Sequence, residues 1–81
     1  MTRSEINVAL SAILTTALET EPTAFPESTA YLALGSDMTK WELVKSFLLA
    51  AELATIEENK IVLTNKGRDI ARQCQQVQKV A

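Results

Sequence analysis

The sequence contains no histidine and only one cysteine, Cys74. This excludes an internal disulfide, a zinc site of cysteine and histidine, and a catalytic triad that depends on histidine. Glu57 and Glu58 leave a carboxylate site open, but adjacent side chains in a turn point in different directions. No neighbouring base is evident to activate Cys74, so we expect a buried, unreactive thiol. We therefore expect no enzymatic activity, no metal and no cofactor.

Glycine and proline are scarce as well, at two residues each, so regular structure has few points at which it must break. The 47% of hydrophobic and 22% of charged residues are typical of a folded domain rather than a disordered chain. At 81 residues there is room for one domain, 1–81, and such a core seldom supplies more than about 3 to 5 kcal/mol. Association of two copies would add stability, and we expect a homodimer.

Long apolar runs are also missing. The longest stretch without a charged residue, Ile6–Leu18, is shorter than the roughly 20 residues that cross a bilayer, and it contains Asn, Ser and Thr. Only Arg3 precedes it and no small-residue cleavage pattern follows it, which disfavours a signal peptide. The expectation is a cytoplasmic protein with no membrane association.

Two helices are predicted before residue 35. Thr2 and Glu5 have the spacing of a capping box, and apolar residues then recur at helical spacing from Ile6 to Ala17, which predicts a helix over 3–20. Pro22 to Pro26 is expected to be a loop or a short extended piece. Pro26 suits the first position of a second helix, 26–34, which Gly35 can end in a left-handed conformation.

A third helix, 40–53, follows a tight turn, because Thr39 and Glu42 repeat the capping-box spacing. Its pattern places Glu42, Lys45, Ser46 and Leu49 on the outward side. The buried stripe is predicted to consist of Leu43, Val44, Phe47, Leu48 and Ala51. Trp41 is expected at the flank of this stripe, in the core, where its indole nitrogen needs a hydrogen-bond partner.

The pattern then changes to the alternation of β-strands. Between Ala54 and Leu63, apolar and polar residues alternate on either side of Glu58-Asn59, which predicts a β-hairpin over 54–64. Thr64 is expected to cap a last helix, 65–78. The inner side of that helix is predicted to be Gly67, Ile70, Ala71, Cys74 and Val77.

This order of elements resembles the winged-helix variant of the helix-turn-helix family over nearly the whole chain. The most specific stretch starts with Leu-Ala-Thr-Ile at Leu53 and ends with Leu-Thr-Asn-Lys-Gly-Arg at Arg68. In the family, a helix runs into a strand, the wing turns, and a Leu-Thr-x-x-Gly segment opens the next helix. The resemblance implies an α+β, mainly helical fold of three helices, a β-hairpin wing and a C-terminal helix, with Gly67 packed closely against the hairpin.

The resemblance also implies a function, that of a transcriptional regulator on double-stranded DNA. The third helix would enter the major groove and the wing would lie beside the phosphates. The expected DNA contacts are Thr39, Lys40, Glu42, Lys45 and Ser46 on this helix, Lys60 in the wing, and Lys66 and Arg68 at the last helix.

The distribution of charge favours a different function. Residues 1–59 carry three basic and nine acidic side chains, whereas residues 60–81 carry five basic and one acidic. Glu57 and Glu58 at the wing tip would meet phosphates, and a continuous basic strip requires the last helix to lie beside the third. The alternative hypothesis is therefore a winged-helix module that binds another protein, or dimerises, without touching DNA.

The first helix offers a candidate surface for such contacts. Its side away from the predicted core has no charge between Glu5 and Glu19, which suits packing against another helix. The predicted interface residues are Val8, Ser11, Ala12, Thr15 and, on the third helix, Leu49. The other explanation is that the first helix is buried on two sides within its own domain.

Overall fold

The computed structural model describes residues 2–80, and for 77–80 it describes the backbone alone. Over this range the chain forms four helices and one three-stranded antiparallel sheet, an α+β architecture. The elements are α1 (Arg3–Thr20), β1 (Phe25–Pro26), α2 (Glu27–Ala33), α3 (Met38–Ala50), β2 (Ala54–Glu57), β3 (Lys60–Leu63) and α4 (Asn65–Val80). No helix in the described range is long and apolar enough to cross a membrane.

The first helix has the predicted bounds. Its start is fixed by Thr2, whose hydroxyl oxygen accepts a hydrogen bond from the backbone N–H of Glu5 at 3.1 Å. This bond satisfies one of the amide groups that a helix start leaves without a partner. The predicted inner face is largely confirmed: Ala9, Ile13, Leu14 and Ala17 are buried, and Ile6 and Leu10 are half-buried.

The sheet has one strand more than the predicted hairpin. Phe25 and Pro26 form β1, which pairs antiparallel with β3, so that β3 lies between β1 and β2. Pro26 therefore precedes α2 in an extended conformation and is not its first residue, as the sequence had suggested. The N–H of Glu27 donates to the carbonyl of Asn59 at 2.8 Å, which joins the start of α2 to the hairpin turn.

Both ends of α3 differ from the prediction of 40–53. The cap is Asp37 and not Thr39, because an Asp37 carboxylate oxygen accepts the backbone N–H of Lys40 at 3.2 Å. At the other end Glu52 adopts a left-handed conformation with φ of 58°, and Leu53 N–H donates to Leu48 C=O at 2.9 Å. This is the helix-ending hydrogen-bond pattern that glycine usually provides, and the sequence has none here.

The buried side of α3 is rotated relative to the predicted stripe. Trp41, Val44 and Leu48 are its buried residues, whereas Leu43 and Phe47 are exposed. The prediction was wrong for Leu43, Phe47 and Ala51, all of which face away from the core. The cause is Trp41: its large side chain is only 2% exposed, so the helix turns its tryptophan side, and not its phenylalanine side, toward the core.

The hairpin and the start of α4 follow the prediction. Glu58 and Asn59 both have positive φ, at 52° and 63°, which is the geometry of a two-residue hairpin turn. The hydroxyl of Thr64 accepts from Gly67 N–H at 3.0 Å and donates to Glu52 C=O at 2.6 Å. A Cβ on Gly67 would lie 1.8 Å from Leu53 O, so the glycine is required by close packing at the base of the hairpin.

One hydrophobic core joins all layers of the fold. α1 packs against α4 on one side and against α3 and β3 on another. The buried apolar residues are Ala9, Ile13, Leu14, Ala17, Phe25, Ala30, Trp41, Val44, Leu48, Leu53, Ala54, Ile61, Leu63 and Ala71. On α4, Gly67 and Ala71 are buried as predicted, Ile70 and Cys74 are half-buried, and the side chain of Val77 lies outside the described residues.

Candidate functional site

The DNA contacts predicted on α3 have different environments. Thr39, Lys40, Glu42 and Ser46 are exposed, and the Ser46 hydroxyl donates to its own helix at Leu43 C=O. Lys45 is only half-exposed and lies against α2, with its Nζ 2.6 Å from Glu27 Oε1. The exposed surface of α3 therefore presents a single base, Lys40, and one acid, Glu42.

Glu27 is the centre of a small polar network between α2 and α3. Its Oε1 accepts from Lys45 Nζ at 2.6 Å and from the indole Nε1 of Trp41 at 3.0 Å. The hydrogen bond from Lys45 is the main reason that the pKa of Glu27 lies below its usual value; the bond from Trp41 acts in the same direction and partial burial opposes both. The hydrogen-bond partner that the buried indole needs is thus Glu27, and the same carboxylate holds Lys45 against α2.

Of the three basic residues predicted to contact DNA outside α3, one is in an ion pair and two are exposed. Arg68 makes two hydrogen bonds to Glu21, with Nη2 to Oε2 at 2.7 Å and Nε to Oε1 at 3.1 Å. This contact is the first cause of the lowered pKa of Glu21. Lys60 is exposed opposite Glu57 in the hairpin, and Lys66 is exposed in the first turn of α4.

The position of α4 also argues against one basic strip. It packs chiefly on α1, with a smaller contact to β3, and does not lie along α3. The exposed bases predicted for DNA are therefore divided among the start of α3, the wing and the start of α4. Glu57 and Glu58 lie between the first two of these places along the chain.

The outward side of α3 carries large apolar side chains instead. Met38 is 52% exposed, Leu43 37%, Phe47 44% and Leu49 42%. Helical spacing puts Leu43 and Phe47 on one flank of the exposed side and Met38 and Leu49 on the opposite flank. The exposed polar residues Thr39, Glu42 and Ser46 lie between the two flanks. We call the four apolar residues the α3 face. Two of them, Leu43 and Phe47, were predicted to lie in the core. The large side chain of Trp41 takes that place, and its presence on α3 is the signal in the sequence that indicates the observed orientation.

The surface predicted on α1 is present in part. Val8 is 69% exposed and Ala12 is exposed, whereas Ser11 is half-buried. Thr15 is buried at 5% exposure, and its hydroxyl donates within the helix to Ser11 C=O at 2.9 Å and Ala12 C=O at 3.1 Å. The prediction of Thr15 as a contact residue is corrected, because α1 is covered on two sides by its own domain.

A groove lies beside the exposed part of α1, between that helix, the end of α2 and the start of α3. Its volume is about 500 Å³. We call it the α1 groove; its walls are Ser4, Glu5, Val8, Ala9, Ala12, Ile13, Ala33, Leu34 and Lys40. Glu5 and Lys40 are its two charged residues, and the rest of the wall is apolar or small.

A second cleft, of about 440 Å³, lies between the segment after α1 and the hairpin. Glu21, Glu57 and Glu58 contribute acidic groups to it, and Lys60 a basic one. Within residues 2–76 and the backbone of 77–80, no group of carboxylate or thiol side chains is arranged to hold a metal ion. The cleft is therefore charged, but its described side chains are not arranged to coordinate a metal ion.

Comparison with known proteins returned no match, whether with family models, with curated proteins or with solved structures.

Proposed function

We propose that this chain is a winged-helix module that binds a protein through the α3 face and does not read DNA. The observation that carries the proposal is the exposed side of α3, where four large apolar side chains flank the polar residues Thr39, Glu42 and Ser46. Isolated exposed apolar residues are ordinary, but two pairs of large ones along the exposed side of one helix are typical of a helix that contacts protein. The α2–turn–α3 pair followed by a hairpin supports the winged-helix assignment.

The charges support protein over DNA as the partner. Binding to duplex DNA is driven largely by cations that replace the counterions of phosphates. Lys45 and Arg68, two of the cations expected to do this, are paired with Glu27 and Glu21. At the wing tip, Glu57 and Glu58 would repel phosphates.

The same charges indicate the chemistry of the protein partner. Asp37 and Glu42 lie at the start of α3 and on its outward side, and the wing adds two further carboxylates. Lys40 and Lys60 offset part of this charge, so a partner that covers the α3 face would meet apolar side chains beside a net negative charge. We therefore propose an amphipathic helix with an apolar face and lysine or arginine on its flanks, bound in the helix-on-helix manner.

The first experiment separates DNA from protein as the ligand. Fluorescence anisotropy of a labelled DNA duplex, titrated with protein from low to moderate salt, should show no saturable binding. Binding that weakens steeply as salt rises and that is lost in Lys40→Glu would refute the proposal and establish a DNA-binding domain.

The second experiment tests the partner's chemistry with two model helical peptides. Both carry the same leucine face, and their polar positions hold lysine in one and glutamate in the other. We expect the lysine peptide to bind the more tightly, and Phe47→Ser to weaken that binding by about tenfold or more, as truncation of a central aromatic anchor does. Leu32→Ser is the matched control, because Leu32 is 64% exposed on α2 and lies outside the α3 face.

Two outcomes of the peptide titration would contradict the protein-binding proposal. Binding of neither peptide, or binding that is the same in Phe47→Ser and Leu32→Ser, would remove the α3 face from consideration. Amide chemical shifts recorded during the titration should move along α3 and not along α4. A response centred on α4 would place the contact elsewhere.

A further inference from the structure

The α1 groove has the composition of a contact surface and is separate from the α3 face. Val8, the most exposed of the large hydrophobic residues of the described chain, lies on its wall beside Ala12. Ala33 and Leu34 close the other side. The Val8 side chain projects from this surface, and the small side chains beside it leave room for a projecting side chain of a partner.

The two charges of the groove are opposite in sign and do not pair with each other. Glu5 lies on α1 and Lys40 on α3, and both are exposed. Within the side chains that the structure describes, the three ion pairs involve other residues. The Glu5 carboxylate accepts a hydrogen bond from the Thr2 hydroxyl, which orients it without neutralising it. Each charge thus remains open to a partner from outside the domain.

This pattern is complementary to itself. In a two-fold symmetric dimer the same patch occurs on both sides, so a contact from residue i to residue j is matched by one from j to i. An acid and a base at different places in one groove satisfy that condition, because Glu5 of each copy can meet Lys40 of the other. A partner with a strongly basic or acidic surface would leave one of the two charges opposed.

We propose that a second copy of this chain occupies the α1 groove, in a two-fold dimer held by Val8 against the small residues of the facing groove and by reciprocal Glu5–Lys40 ion pairs. The size of the chain gives a reason for such an arrangement, since domains of about 80 residues gain limited stability from one core. The groove wall includes none of the four residues of the α3 face, so this proposal and the ligand proposal rest on different residues.

The test begins with the mass of the intact protein in solution. Light scattering coupled to size exclusion, and sedimentation velocity from micromolar to submillimolar concentrations, should show a reversible dimer. Ala12→Arg places a bulky charge in the groove at an exposed position and should yield a monomer. Thr16→Arg, one turn along α1 and outside the groove wall, is the matched control and should remain dimeric.

Charge exchange then tests the pairing itself. Glu5→Lys alone and Lys40→Glu alone should each weaken the dimer by about tenfold or more, because like charges face each other in both reciprocal contacts. The double variant Glu5→Lys/Lys40→Glu restores opposite charges and should recover most of the affinity. Circular dichroism of each variant confirms that the helices persist, and Asn7→Lys controls for added positive charge near the start of α1.

Three results would overturn the inference. The first is a wild-type protein that is monomeric at every concentration. The second is a dimer that Ala12→Arg leaves intact while Phe47→Ser disrupts it, which would place the α3 face in the interface instead. The third is a double charge exchange that weakens the dimer as much as the sum of its single variants.

Discussion

Replacing Glu27 with alanine is the most informative single test of the structure. The change removes the acceptor of the Trp41 indole, whose side chain is 2% exposed, and the partner of Lys45. A buried N–H left without an acceptor costs about 1 to 3 kcal/mol. Loss of a half-exposed ion pair adds about 0 to 1 kcal/mol. We expect Glu27→Ala to lower the free energy of unfolding by about 1 to 4 kcal/mol.

Two controls separate these contributions. Glu27→Gln keeps an oxygen that can accept from the indole and loses only the charge, so it should cost no more than about 1 kcal/mol. Glu42→Ala removes an exposed carboxylate on α3 that takes no part in the ion pairs of the described chain, and it should leave stability almost unchanged.

Urea and thermal unfolding, followed by circular dichroism and by Trp41 fluorescence, measure the difference. In a domain of this size 1 kcal/mol corresponds to about 4 to 8 °C in Tm, so Glu27→Ala should lower Tm by roughly 4 to 30 °C. A Glu27→Ala protein as stable as Glu42→Ala would refute the view that Glu27 joins α2 to α3. Equal losses in Glu27→Ala and Glu27→Gln would assign the whole effect to charge and leave the indole bond without importance.

Three further predictions concern other parts of the chain. Gly67→Ala should destabilise the fold by about 3 kcal/mol or more in urea unfolding, since its Cβ would lie 1.8 Å from the rigid backbone oxygen of Leu53; near-neutral behaviour would show that this approach is relaxed. Glu58→Asn should raise stability by up to about 1 kcal/mol, because asparagine accepts positive φ more readily than glutamate; a loss would contradict the turn geometry. Arg68 lowers the pKa of Glu21 from 4.5, so this carboxylate stabilises the fold above that pH and the benefit disappears as the pH falls through the lowered folded value. The stability difference between wild type and Glu21→Gln should therefore be present at pH 7 and vanish in acid, and a difference that grows in acid would reverse the assignment.

The sequence predicted well those elements that local signals determine. Thr2 and Glu5 start α1, and Thr64 with Gly67 starts α4, because side-chain capping and close packing act within a few residues. It failed where the decisive contact is distant. β1 is only two residues long and exists because Phe25 pairs with Ile61, a contact that no local pattern encodes.

The candidate surfaces show the same limit. α3 is oriented with Trp41 in the core, where its indole donates to Glu27 on α2, whereas the pattern of apolar residues alone favoured Leu43 and Phe47 as core. Val8 and Ala12 are exposed as predicted, but the burial of Thr15 depends on the domain's own packing around α1. Packing between elements decides which residues are exposed. The local sequence pattern of one helix does not contain that information.

The order of strands has a consequence for how the chain could be divided. β1 comes before the turn at Gly35, whereas β2 and β3 come after it. The sheet is therefore built from two parts of the chain that this turn separates. A cut in this exposed turn divides the 81-residue chain into the fragments 1–35 and 36–81. Neither fragment holds a whole sheet, and Leu14 in one and Trp41 in the other share the same core. We therefore expect neither fragment to fold alone, and we expect the two to recover the fold only when they are brought together.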